Sequence, residues 1–150
     1  MQRFSRFGLL QRGALFQAAK QLTSELQLRP ADVRRPIATL SGGNQQKAII
    51  ARWLAADTDV LLFDEPTRGI DVGAKAEIYA LIERLASEGK GIVVVSSEQP
   101  ELIRVSDRVL VMREGAISAE LAGDDIQERQ LLSYAIPEGR SASDSAQSVT

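Results

Sequence analysis

Apolar positions along this chain follow two rhythms, one of helical period and one of short unbroken runs. Leu15, Ala18, Ala19, Leu22 and Leu26 recur three or four residues apart, which predicts an amphipathic helix that Pro30 stops. A polar connection with Arg29, Arg34, Arg35 and Pro36 follows and reads as a solvated stretch. Ser41-Gly42-Gly43 then opens a second helix, whose apolar positions are Ile49, Ile50, Trp53 and Leu54; Trp53 is expected in the core. Residues 60–63 form a continuous apolar run closed by Asp64-Glu65-Pro66, the pattern of a buried strand ending in a loop. Asp71 is placed to cap a third helix with Ile78, Leu81, Ile82 and Leu85 on one face and Gly89 just past its end. Residues 92–95 predict another buried strand and 100–105 a short helix. Residues 109–112 and 116–120 flank Arg113-Glu114-Gly115 as a hairpin would, and a weaker helix covers 126–134. From Pro137 onward the chain is rich in serine (Ser141, Ser143, Ser145, Ser148), so 137–150 is predicted to be a disordered tail. There is no internal repeat, and the strand–helix–strand alternation predicts an α/β fold around a mostly parallel sheet.

Composition narrows the chemistry. The 150 residues are the size of one domain, and 44% hydrophobic content is enough for a core. A net charge of -2 and a pI near 5.3 give no sign of a nucleic-acid partner. The sequence has no cysteine and no histidine, which excludes a disulfide or zinc framework, a catalytic thiol and a histidine base. Its apolar runs are too short to cross a bilayer, and residues 1–6 lack the apolar core of a signal peptide. A soluble intracellular protein is the expectation.

Two segments carry candidate chemistry. The first is the strand closed by Asp64-Glu65-Pro66, which delivers adjacent carboxylates to the edge where open α/β sheets bind ligands. Side chains alternate along a strand, so one carboxylate can hold Mg²⁺ through water while the other orients or deprotonates an attacking water. Two solvated acids in a turn would look the same. The second is Leu40-Ser41-Gly42-Gly43-Asn44-Gln45-Gln46-Lys47, where two glycines before a helix leave backbone N–H groups free to face an anion. An ordinary helix start after a flexible turn fits it as well. Lys47 is not the lysine of a Gly-x-x-x-x-Gly-Lys-Ser/Thr phosphate loop, because Ala48 follows it and a polar segment precedes Ser41. No such loop occurs elsewhere in the sequence.

In this order and spacing the segments resemble the ABC ATPases. Residues 40–45 look like the ABC signature motif, 61–65 like the Walker B strand with its catalytic glutamate, and Arg68-Gly69-Ile70-Asp71 like the D-loop. The longer strings, from Leu40 through Lys47 and Asp64-Glu65-Pro66-Thr67-Arg68-Gly69-Ile70-Asp71-Val72-Gly73-Ala74-Lys75, look like the second cassette of bacterial ribose-, galactose- and xylose-type importers. The likeness runs over about residues 4–137. It implies a P-loop NTPase fragment with flanking helices, lacking the Walker A strand and loop. Residues 1–136 would be the C-terminal part of a nucleotide-binding domain, with about 1–56 a helical signature subdomain and 57–136 running from Walker B to the C-terminal subdomain.

The same resemblance implies roles. Asp64 would hold the water shell of Mg²⁺ and Glu65 would polarise the hydrolytic water. Ser41, Gly42, Gly43, Asn44 and Gln45 would face the γ-phosphate of an ATP held by a second ABC cassette, and Asp71 would reach across the interface between them. The partners implied are that second cassette, a membrane permease and, indirectly, a sugar-binding protein, with the chain peripheral on the cytoplasmic face of the inner membrane. Two departures stand out. The Walker A and glutamine loops that precede this region in the family are absent, so the isolated chain is expected to bind ATP poorly and to be inactive. This leaves open whether Met1 is a true start or a truncation. Glu98 stands where the family has its switch histidine, either as a carboxylate that weakens hydrolysis or as a cap for the short helix that follows. The rival readings are an inactive truncated cassette that acts only as a partner-binding module, and a non-transport ABC ATPase.

Overall fold

A computed structural model describes residues 4–6 and 9–136. Its central motif is a strand, β3 (Val60–Asp64), followed by a helix, α3 (Val72–Ser87), and a second strand, β4 (Gly91–Val95), parallel to the first. The register pairs Val60 with Gly91 and Asp64 with Val95. Parallel strands need such a crossover, since no tight turn can join them. The chain divides into two compact units, Met1–Val95 and Ser96–Thr150.

In the first unit, a short antiparallel pair, β1 (Ser5–Arg6) and β2 (Leu9–Leu10), leads into α1 (Arg12–Glu25). A 3₁₀ turn (Ile37–Thr39) precedes α2 (Gly42–Leu54), which packs between α1 and α3. The third helix forms where the sequence predicts it. Asp71 caps it by accepting a hydrogen bond from the Ala74 N–H at 3.0 Å. Gly89, at φ +88°, ends it: Lys90 N–H reaches the Leu85 carbonyl (3.1 Å) and Gly89 N–H that of Ala86 (2.9 Å). Ile78, Leu81, Ile82 and Leu85 are all buried, each stabilising the fold by roughly 1.5–3 kcal/mol.

Two expectations fail here. The strands are covered on one face only: Leu61 and Phe63 are buried, whereas Leu62 is 71% exposed and its register partner Val93 is 48% exposed. A continuous apolar run suits burial on both faces, but α3 can cover only one. Trp53 is also not core, being 52% exposed with the Arg52 guanidinium 5.2 Å from its ring centroid. The buried stripe of α2 runs through Gly43, Lys47 and Ile50, and at about 100° per residue Trp53 lies some 80° away from it. Arg29, Arg34 and Arg35 are exposed, as expected.

The second unit holds α4 (Gln99–Val105), the hairpin β5 (Arg108–Arg113) and β6 (Ala116–Ala122), a 3₁₀ turn (Gly123–Asp125) and α5 (Glu128–Ala135). Both turn residues are left-handed, Glu114 at φ 53° and Gly115 at φ 81°, the backbone that a two-residue hairpin loop needs. Val109, Val111, Leu121, Ile126 and Leu131 form its core, with Leu102 packed against them. The tail expected over 137–150 lies outside the described residues.

Candidate functional site

The two candidate segments of the first unit occupy the ends of neighbouring elements. Ser41 is the N-cap residue of α2 in extended conformation, yet its side chain makes no capping bond to the helix backbone. Its hydroxyl oxygen instead accepts from the Asn44 amide at 2.8 Å, and the Asn44 carbonyl oxygen accepts from the Arg29 N–H at 2.8 Å. The Gln45 amide donates to the Leu40 carbonyl at 2.8 Å. Asn44 and Gln45 therefore brace the turn from within, and the Ser41 hydroxyl proton is left to donate. The helix thus begins with N–H groups that no side chain of the turn covers, the electrostatic setting that suits an anion.

The two glycines face different ways. Gly42 is exposed, and a β-carbon there would lie 3.2 Å from Ile70 Cγ2. Gly43 is buried, and a β-carbon on it would sit 2.5 Å from Ala74 Cβ. The first glycine meets the loop at 69–71 and the second meets the first turn of α3. The starts of α2 and α3 therefore lie side by side, with Gly42 against the loop that leads into Asp71.

The acidic pair sits at the C-terminal end of β3. Asp64 is its last residue and is exposed. Glu65 is half-buried and leaves the strand at φ 47°, a left-handed conformation that costs a non-glycine residue roughly 1–2 kcal/mol. Its N–H still donates to the Val95 carbonyl at 2.8 Å, its carbonyl accepts from Arg68 N–H at 3.2 Å, and buried Pro66 and Thr67 follow. The chain is thus held on both sides of a turn that swings Glu65 out of line with Asp64. Sequence reasoning missed this kink, since a residue before proline normally stays extended. Among the described residues no cluster of three or more acidic, histidine or cysteine side chains is built to hold a metal alone. One exposed carboxylate at a strand end instead suits Mg²⁺ shared with phosphate oxygens and water.

Glu98 belongs to the second unit. It occupies the N-cap position of α4, but its carboxylate makes no capping bond; its N–H donates to Ser96 Oγ at 3.0 Å. The capping explanation accounts for its place in the chain and not for its side chain. No helix among the described residues is long and apolar enough to cross a membrane.

Comparison with known proteins gives the same family at each level. The family model described as ABC transporter matches residues 6–68. A ribose import ATP-binding protein of Mesorhizobium japonicum is 49% identical over 138 residues, covering 92% of this chain and 27% of that protein. A Rhizobium meliloti protein named for ribose, galactose and methyl galactoside import is 53% identical over 132 residues, covering 88% of this chain and 26% of its own length. The chain thus spans about a quarter of the length of these relatives. Among solved structures, a dimeric ATP-binding cassette in a post-hydrolysis state with ADP and Pi superposes with TM-score 0.66 at 25% identity, over 79% of this chain and 51% of that one. A second ATP-binding cassette of an ABC transporter reaches 0.72 at 22% identity over 83% of this chain and 51% of its own, a likeness of fold. With an α/β core, flanking helices and relatives near 50% identity over most of its length, the chain is homologous to part of the ATP-binding proteins of ABC transporters.

Proposed function

We propose that this chain supplies the signature motif, the Walker B carboxylates and the D-loop of an ABC ATPase that drives carbohydrate import. The observation carrying this reading is the uncovered N-terminus of α2, with Ser41 and Gly42 set against the loop that ends in Asp71. In the assembled protein, Ser41 and the N–H groups of the first turn would face the γ-phosphate of an ATP held by a second cassette. These donors are fixed before charge develops, so they stabilise the transition state without reorganisation. Gly42 lets the loop at 69–71 lie close against the start of α2, whereas Gly43 lets α2 lie flat on α3. Asn44 and Gln45 hold the turn in shape.

At the strand end, Asp64 would hold Mg²⁺ through its water shell and Glu65 would orient the attacking water, with the Glu65 kink directing the two carboxylates to separate tasks. Mg²⁺ supplies charge neutralisation on the phosphate oxygens when bound. Asp71 spends one carboxylate oxygen on the Ala74 N–H, leaving the other for the opposite cassette. Residues 1–56 act as the signature portion and 57–136 as the Walker B portion. The partners are a second cassette, a permease and, through it, a sugar-binding protein, with the chain peripheral on the cytoplasmic side of the inner membrane. Placing Gly42→Trp in the assembled ATPase tests the main reading. The expected result is near-complete loss of ATP turnover with the protein still folded, and unchanged turnover sinks it.

A further inference from the structure

Lys47 lies one turn beyond the signature glycines and is not a phosphate-loop lysine, yet the fold buries it. The residue is 5% exposed, among very few charged side chains so enclosed among the described residues. Its ammonium lies 2.7 Å from Glu77 Oε2 on α3, while the Glu77 side chain is 62% exposed. Taking an ammonium out of water is costly by several kcal/mol, and leaving it unpaired would be destabilising. A methionine or leucine would fill the same place at no such cost, so burial alone does not account for a lysine there.

The geometry around the pair gives it a use. The contact of Gly43 with Ala74 fixes the distance between α2 and α3 at their first turns. A single contact of that kind leaves one helix free to roll or slide on the other. Lys47 and Glu77 add a directional contact one turn further along both helices, about 6 Å away on α2 at 1.5 Å rise per residue. Two contacts so spaced set the rotation and register of α2 on α3. The Ser41–Gly42 turn and the Asp71 loop are the leading ends of those helices, so the same two contacts set one against the other. Arg84 and Glu25 line the cavity of about 250 Å³ beside the pair, and Arg84 is matched to Glu88 at 3.5 Å. Glu77 is the carboxylate that the structure pairs with Lys47.

We infer that Lys47 and Glu77 are positioning residues that hold the signature turn in register with the Asp71 loop, an inference that rests on the signature reading above. Neither touches nucleotide. Their effect falls on the closed, ATP-sandwiched state, where the turn must meet a phosphate held by the other cassette, and not on the first capture of ATP. A misplacement of about 1 Å can cost about 100-fold in rate, so a loosened contact is expected to cost part of that.

The test measures kcat and KM for ATP in the assembled ATPase carrying Lys47→Met, Lys47→Arg, Glu77→Gln and, separately, Gly42→Trp. Lys47→Met keeps an apolar stem in the buried site, and Glu77→Gln changes an exposed side chain, so at least one folds. The expected result is a fall in kcat of about tenfold for Lys47→Met and less for Glu77→Gln, KM within about twofold, and recovery of most of kcat in Lys47→Arg. Faster hydrogen exchange over 41–47 in Lys47→Met, at unchanged Tm, would support the same conclusion. Wild-type kcat in folded Lys47→Met and Glu77→Gln, with Gly42→Trp inactive, overturns this inference and leaves the signature reading standing. An active Gly42→Trp overturns both. Loss of kcat that merely follows loss of Tm in all three pair variants would assign the pair to stability alone and also overturn it.

Discussion

A β-carbon on Gly43 would lie 2.5 Å from the β-carbon of Ala74, closer than two such atoms are found in proteins. Helices α2 and α3 therefore meet almost backbone to backbone. Gly43→Ala is accordingly expected to destabilise by about 1–3 kcal/mol, the range for overpacking a filled site. Ala74→Gly should recover part of the loss, because it removes the atom that the new methyl meets. Thermal denaturation of the single and double variants checks this, and equal Tm values for Gly43→Ala and the parent would show that the helices separate freely.

Asp71 offers a separation of two roles. As the cap of α3 it contributes about 1 kcal/mol through its bond to Ala74 N–H, and serine caps comparably. Asp71→Ser should leave the melting temperature near that of the parent, while Asp71→Ala lowers it. If the carboxylate also serves the opposite cassette, both variants will lose ATP turnover to a similar degree. Turnover that falls only in Asp71→Ala would reduce Asp71 to a cap.

Much of this arrangement was legible in the sequence, and the reasons are local. The Asp71 cap, the apolar face at 78, 81, 82 and 85 and the stop at Gly89 depend on a single helix, so spacing reveals them. The Glu114–Gly115 turn is equally local. What spacing could not show depends on neighbours. The burial of Lys47 requires knowing that Glu77 lies alongside, and it displaces Trp53 from the stripe that hydrophobicity alone would draw. Likewise, the coverage of β3 on one face is set by what packs on the sheet and not by its own apolar run. The left-handed turn at Glu65 has no signal in a Glu-Pro pair.

The bare side of the parallel pair has a consequence for the chain by itself. Leu62 and Val93 are register partners with both side chains exposed, and Val60 and Val95 extend the same apolar strip, at 64% and 51% exposure. The isolated chain is expected to self-associate and to show no ATPase activity. Sedimentation should give species larger than a monomer, and Leu62→Lys with Val93→Lys should shift the population toward monomer. A clean monomer with a cooperative thermal transition for the unaltered chain would contradict this. Magnesium-dependent turnover that disappears in Glu65→Gln would contradict the second expectation.

The last expectation concerns inequality between paired ATP sites. In an assembly of two cassettes, each site joins the Walker residues of one to the signature of the other. This chain would offer its partner a turn with Ser41 and Gly42 uncovered, and the resemblance implies that Glu98 stands in the place of the switch histidine. A carboxylate facing a γ-phosphate repels it, and a group with no proton to give offers no donor to the developing charge. The site that borrows Ser41 and Gly42 should therefore perform most of the hydrolysis, and the site served by Glu65 little. Gly42→Trp should nearly abolish turnover, whereas Glu65→Gln, which spares Asp64, should cost less than about tenfold, or about 1.4 kcal/mol of barrier. Steady-state rates of both variants with permease in lipid decide between equal and unequal sites. Equal damage from the two changes would mean that Glu98 does not silence its own site, and that the two sites share the work.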